Sequence, residues 1–401
     1  MLQVSKRCTR VLHIVGGMNR GGVETWLMHV LRNIDRDYLQ MDFLVHTIQP
    51  CAYDDELRSL DSKIIPCLYP SHPLRYAYNF RRILKEYGPY DIVHSHVHHF
   101  SGYVLYLAKQ AGVPIRIAHS HSDTSMVQAR AGWLRRGYLK LMQQLLDRYA
   151  THGLAASRKA AAALFGSNWQ SDPRWQLLYY GISLLPFHTV PDPITVRTEL
   201  NIPTDALVLG HVGRFVEPKN HTLLVDIMAA VVRHKPDTHL LLVGDGPLRP
   251  AIEAKVAQSG LSGHVTFAGS RDDVPRLMMG AMDVFVLPSL YEGLGLVLIE
   301  AQAAGLPCVF SDVVPEEVDV VQSLVRRLSL LQPPAEWSTA ILALQKNSSF
   351  ISQLTALQQI EQSRFNIWTS VHHLESIYHV HTPSTKSAEA TEFSTSATDH
   401  Q

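Results

Sequence analysis

The sequence has few cysteines, no excess charge of either sign and no long apolar run. Cys8, Cys51, Cys67 and Cys308 are scattered and form no C-x-x-C pair. That excludes a disulfide scaffold and a thiolate zinc site, and fits a reducing compartment. Lys+Arg and Asp+Glu both total 36, so no global field draws the chain to nucleic acid, and any anion site has to be local. No stretch of about 18 apolar residues is present, so no membrane span is expected. The basic start (Lys6, Arg7, Arg10) runs into an apolar segment too short for a secretory leader. The expectation is a cytoplasmic protein, peripheral on the inner face of the membrane at most.

The chain does have material for large cores: 401 residues, 46% hydrophobic and 18% charged, a length that suits two or three domains. A strand at Arg10–Val15, a glycine turn at Gly16, Gly17, Gly21 and Gly22, and a helical Val23–Arg32 open it as a nucleotide-binding-like unit. Further strands are predicted at Met41–His46, Ile92–His96 and Ile115–His119, with helical stretches between them. Such alternation implies a parallel sheet covered on both faces. Four prolines within 186–205 (Pro186, Pro191, Pro193, Pro203) predict a linker. The pattern then restarts, with strands at Leu207–Val212, Leu240–Val243, Val265–Phe267, Val284–Leu287 and Pro307–Phe310. The reading is α/β, with two facing Rossmann-like domains of parallel sheets, 1–185 and 206–349, and a cleft between them. Closing helices are expected over 350–380 (Phe365, Trp368, Leu374, Ile377, Tyr378), and the Ser/Thr-rich 381–401 is expected to be disordered.

Chemistry concentrates in Pro288–Gly305, after a buried strand, where open α/β sheets bind ligands. Glu292 falls in the loop, and Gly293 and Gly295 flank Leu294, so backbone N–H groups there can approach a ligand. The following helix offers its positive end to a diphosphate. Glu300 lies about two turns into that mostly apolar helix, where a carboxylate calls for a partner. Two acids eight residues apart can hold the hydroxyls of one elongated ligand. Arg214, beside Gly213, and Lys219 follow the Leu207–Val212 strand, and Gly244 follows Leu240–Val243. Two cations at a strand tip make a local anion site.

Together these features resemble the large retaining glycosyltransferase family 4, whose members have the GT-B fold. The carriers are the E-x7-E block from Glu292 to Glu300, the loop Gly16-Gly17…Gly21-Gly22-Val-Glu24, Gly213-Arg214…Lys219-Asn, Gly244-Asp-Gly-Pro247 and Ala281-Met-Asp283-Val-Phe. The similarity covers roughly residues 10–380, and Phe310–Val318 resembles a bacterial capsule and exopolysaccharide branch. The resemblance implies a hexosyltransferase (EC 2.4) acting with retention on a nucleotide-sugar donor and a glycan or polyprenyl-linked acceptor. It assigns the ribose hydroxyls to Glu300 and the transferred sugar to Glu292. The donor enters as substrate, a UDP-sugar before a GDP-sugar, and no cofactor is expected. Metal-dependent transferases of the other major fold use D-x-D, which occurs here only as Asp35-Arg-Asp37, after a helix. Arg214, Lys219 and helix N-termini are expected to take the metal's place.

Histidine is abundant, 22 in all, with His94, His96, His98 and His99 after one strand and His119 and His121 after the next. The resemblance implies one functional histidine, close to the transferred sugar or to the acceptor, either His119 or His121. Trp133–Met142 mixes cations, aromatics and aliphatics, and suits either an anionic membrane surface or a packing helix. Two rival functions use the same architecture: a nucleotide-sugar epimerase, which needs no acceptor, and an inactive binding partner in a polysaccharide assembly complex.

Overall fold

The computed structural model describes residues 8–124, 128, 132–346 and 351–378; the expected tail at 381–401 lies outside them. The first lobe is built from β1 (Thr9–Val15), α1 (Gly22–Asn33), β2 (Leu39–Val45), α2 (Asp54–Ser59), β3 (Ile64–Pro66), α3 (Pro73–Tyr87), β4 (Ile92–Ser95), α4 (Ser101–Gln110), β5 (Ile115–Ser120), α5 (Trp133–Tyr149), β6 (His152–Ala155), α6 (Arg158–Phe165) and β7 (Trp175–Leu177). Its parallel sheet has the order β3-β2-β1-β4-β5-β6-β7. After α7 (Pro193–Glu199), the second lobe runs β8 (Leu207–Val212), α8 (His221–His234), β9 (Thr238–Val243), α9 (Arg249–Gln258), β10 (Val265–Gly269), α10 (Val274–Ala281), β11 (Val284–Leu287), α11 (Leu296–Ala303), β12 (Cys308–Ser311), β13 (Val325–Leu328) and α12 (Pro334–Lys346). Its sheet, also parallel, has the order β10-β9-β8-β11-β12-β13.

Both sheets reverse their winding once, between β1 and β4 and between β8 and β11. At each reversal two neighbouring loops part and leave a crevice over the strand tips. The glycine loop after β1 and the histidines after β4 and β5 flank one crevice. Arg214 after β8 and Glu292 after β11 flank the other. Helices on both faces explain why strands such as Val284–Leu287 read as unbroken apolar runs.

The stretch expected to be a linker does more than connect. Asp192 caps α7 by accepting from Thr195 N at 3.0 Å, and Val196 is buried at 1% exposure. Arg197 donates to both carboxylate oxygens of Asp283 at 3.0 Å, which docks α7 on the second lobe. Prolines at the ends of a helix stiffen it rather than free it. The closing pair, α13 (Gln353–Glu361) and α14 (Ile367–Ile377), then leads the chain back. Ile182 N donates to Phe365 O at 2.8 Å, Ile367 N to Ile182 O at 3.1 Å, and Trp26 Nε1 to Ser370 Oγ at 2.9 Å. The last helix therefore packs on α1 of the first lobe, with Phe365, Leu374 and Tyr378 buried and Trp368 at the surface. One apolar core runs from Val11 and Trp26 through Tyr180 and Phe187 to Leu298 and Tyr378.

Candidate functional site

The second lobe's crevice is floored by short tethers between loops. Gly213 N donates to Val243 O at 2.9 Å and Gly244 N to Gly269 O at 2.7 Å, which ties the tip of β8 to β9 and that of β9 to β10. Leu290 N donates to Pro218 O at 2.8 Å and fastens the β11 loop to the Lys219 turn. Lys219 Nζ then donates to Glu292 Oε1 at 2.6 Å, and Ser289 Oγ donates to the same oxygen at 2.6 Å. Glu292 is thus held in one orientation, with its second oxygen outside both bonds. Arg214 stays exposed beside this pair.

Gly295 adopts φ 90°, a left-handed turn that starts α11 and leaves its first N–H groups without a side-chain cap. The N-cap of α8, Asn220, likewise makes no capping bond. Two helix N-termini therefore present uncapped N–H groups beside Arg214 and Lys219, an arrangement suited to phosphate. The Leu294 side chain is buried at 4% exposure, so only its backbone is left for a ligand. Glu300 is half-buried, and its carboxyl makes no hydrogen bond or ion pair among the described residues. Desolvation raises it to about 7.

The first lobe meets this crevice from the other side. Gly21 caps α1 in an extended conformation, Gly22 begins the helix, and Gly16 O accepts from His46 N at 3.1 Å. Gly17 packs on Thr47 and Cys51. Glu24, in the first turn of α1, has its carboxyl raised, chiefly by burial and against a smaller lowering effect of the Arg214 charge. Arg20 forms an ion pair with Asp272 across the gap, and Lys159 Nζ donates to Val313 O at 2.8 Å.

His119 and His121 separate here. His121 directly follows β5 at the crevice, and a Cβ added to Gly293 would run into its carbonyl oxygen. Ser157 Oγ, from the N-cap of α6, donates to Gly293 O at 2.7 Å. His119 lies behind, fully buried against the edge of Trp26 at 5.3 Å. The register places His13 opposite His94 and His94 opposite Ile117, so His13, His94, His96, His119 and His121 share one sheet face. Ring nitrogens of two trios, His13–His94–His96 and His96–His119–His121, lie within 4.8 Å of one another. Most of these nitrogens are already paired in hydrogen bonds of 2.9–3.1 Å. Burial lowers His121 to about 3 and keeps the ring neutral.

Sequence reasoning missed Ser157 and Tyr180, and gave no role to Ser289 within Pro288–Gly305. Ser157 follows a short strand that lacks β-branched residues, and Tyr180 follows one only three residues long. Nothing local signals their approach to the crevice. Asp35 and Asp37 lie between α1 and the start of β2, at the opposite end of the sheet from the crevice.

The chain matches two family models, Glycosyl transferase 4-like domain over residues 21–181 and Glycosyl transferases group 1 over 206–347. It is 41% identical to the putative glycosyltransferase EpsF of Bacillus subtilis (strain 168), over 83% of this chain and 86% of that one. It is 27% identical to a UDP-Gal:alpha-D-GlcNAc-diphosphoundecaprenol alpha-1,3-galactosyltransferase of Escherichia coli, over 58% of this chain and 60% of that one. Among solved structures, Anabaena Alr3699/HepE in complex with UDP-glucose superposes with a TM-score of 0.76 at 20% identity, covering 92% of this chain and 98% of that one.

Proposed function

The chain belongs to the group 1 glycosyltransferases and has their GT-B fold, and from that premise we propose that it moves a hexose from a UDP-sugar to a glycan or polyprenyl-linked acceptor, with retention. The observation that carries the donor site is Glu300, a half-buried carboxyl without a protein partner at the tips of the second sheet. An elongated nucleotide lying along α11 brings its ribose hydroxyls to Glu300, its diphosphate to the α8 and α11 N-termini with Arg214 and Lys219, and its sugar to Glu292. HepE supports the reading through its complex with UDP-glucose. The galactosyltransferase supports a diphosphoundecaprenol-linked acceptor. Assembly of a polysaccharide is the setting that other relatives suggest: one is named for lipopolysaccharide core biosynthesis and another for Vi polysaccharide biosynthesis.

In the transfer, the bond from the anomeric carbon to the leaving phosphate oxygen breaks and the bond to the acceptor oxygen forms on the same face. The acceptor's proton passes to the leaving phosphate. Arg214, Lys219 and the two helix ends stabilise the charge that builds on the diphosphate, and the crevice holds both reactants in line. These fixed positive groups supply the compensation that a divalent ion provides elsewhere, and the reaction is proposed to need no metal.

The acceptor's lipid would be met by α5. Trp133, Leu134 and Leu141 are exposed beside Arg135, Arg136 and Lys140, and only Met142 and Leu146 of this helix are buried. Exposed Leu74 and Tyr78 on α3, with Arg75, extend the same chemistry. Apolar groups among cations suit an anionic bilayer surface. No helix among the described residues is long and apolar enough to cross a membrane.

Calorimetry with UDP and GDP, without added metal, tests the donor site. Micromolar UDP binding that Glu300→Ala weakens at least tenfold is expected. A folded protein that binds neither nucleotide would overturn the reading in favour of an inactive binding partner. Consumption of donor without any acceptor would favour the epimerase.

A further inference from the structure

The five histidines of the first sheet form one unbranched series of contacts with two tyrosines. It runs from His13 Nδ1 to His96 Nε2 at 2.9 Å, and from His96 Nδ1 to His121 Nε2 at 3.0 Å. His121 Nδ1 meets the Tyr180 hydroxyl, which reaches His119 Nε2 at 3.5 Å, the longest link. His119 Nδ1 meets His94 Nε2 at 3.1 Å, and His94 Nδ1 meets the Tyr378 hydroxyl at 2.6 Å. The series starts beside Phe43, passes the crevice at His121 and ends at the C-terminus of α14.

Counting protons limits its states. Burial disfavours the charged form of every ring, so each imidazole is neutral and carries one proton, as does each phenol. Seven protons serve six links. A link with two protons repels, and a link with none is lost. A Tyr180 proton turned aside would be a buried donor without an acceptor. The links therefore all point one way, and two arrangements exist.

In the first, Tyr378 donates to His94 Nδ1 and every histidine, His121 included, is protonated on Nε2. One group is then unpaired, the His13 Nε2–H, whose nitrogen has no partner among the described residues. In the second, every histidine is protonated on Nδ1, and two groups are unpaired, the Tyr378 proton and the bare His13 Nε2. The first arrangement leaves fewer buried groups unmet.

We propose that Tyr378, at the end of α14, sets the ring tautomer of His121 in the cleft through this series, and is a positioning residue for the transfer site. The proposal rests on the transferase reading for what the cleft does, whereas its test reads the rings directly. Removing the Tyr378 oxygen leaves one donor and one acceptor unmet in either direction, so the preference disappears. Removing the Tyr180 oxygen does the same for His13, His96 and His121, and leaves His94 and His119 under the control of Tyr378.

The experiment is long-range proton–nitrogen correlation of the full chain with labelled histidine, in wild type, Tyr378→Phe and Tyr180→Phe, with UDP binding measured on the same samples so that the donor reading is scored separately. Wild type is expected to show His121 in a single Nε2–H form. Tyr378→Phe is expected to convert His121 to a mixture of tautomers. Tyr180→Phe is expected to mix His121 and leave His94 and His119 as Nε2–H. A His121 signal unchanged in Tyr378→Phe while His94 shifts would overturn the proposal, as would an Nδ1–H His121 in wild type.

Discussion

Burial on α11 raises the Glu300 carboxyl to about 7, with no cation paired to it among the described residues. Its folded value, about 7, stands above the ordinary 4.5, so the fold favours the acid form and ionisation opposes the fold as pH rises between the two values. Ribose hydroxyls donating to the carboxylate reverse that preference, since they stabilise the charged form. UDP affinity is therefore expected to be highest above pH 7 and to weaken below it, by up to about tenfold per pH unit. Glu300→Gln, which cannot ionise, should bind weakly and lack this component of the profile. Dividing the two profiles removes the titration of the nucleotide itself, and a flat quotient would contradict the assignment. Glu300, Glu292 and Lys219 were legible in the sequence because strand, loop and helix are contiguous there. The Lys219–Glu292 pairing was not, since it closes a gap of 73 residues between two strand tips. Tyr180 and His96 were invisible as partners of His121 for the same reason: only the strand register brings them together.

Elements repeat this lesson on a larger scale. β8 and β11 were read with the boundaries the structure shows, because buried strands in a parallel sheet are largely apolar runs closed by small residues. β3, β6, β7 and β13 were missed; they have three or four residues each, and β6 is His-Gly-Leu-Ala, with no β-branched side chain. Their strand form comes from pairing with a neighbour. β4 and β5 have the opposite peculiarity, good apolar strands whose tips carry imidazoles into a buried layer. Those rings, and His13 of β1 beside them, bind a second proton in the unfolded chain near pH 6.5 and resist it in the fold, with His13 and His121 at about 3. The unfolded state thus takes up more protons below pH 6.5, so stability is full above that value and is lost as pH falls. Each ring contributes a slope of up to about 1.4 kcal/mol per pH unit. Thermal melts between pH 7.5 and 5 should show a steep fall in midpoint. His13→Phe, whose ring can continue the stack on Phe43, should make that fall shallower by about one proton.

The two lobes touch at several points, Arg20 with Asp272 and Lys159 with Val313 among them, and one of these contacts falls on Gly293, next to Glu292. Gly293 lies against the His121 carbonyl and gives its own carbonyl to Ser157, so the loop that holds Glu292 also carries the seam between the lobes. A methyl group there has nowhere to go except into the first lobe's backbone. The proposed nucleotide site, by contrast, consists of Glu300, Arg214, Lys219 and two helix ends that all belong to the second lobe. Gly293→Ala is therefore expected to leave UDP affinity within about threefold of wild type. Transfer should fall on the order of a hundredfold, the penalty of holding reactants about 1 Å out of line. Gly295→Ala supplies the contrast. Its φ of 90° lies inside the second lobe's own turn, and the methyl group there has no clash closer than 3.4 Å. The strain falls on the turn itself, so UDP binding and transfer should decline together. Calorimetry and a transfer assay on the two variants separate closure from donor binding. Transfer undiminished in Gly293→Ala would mean that the seam at His121 is not part of the reacting state.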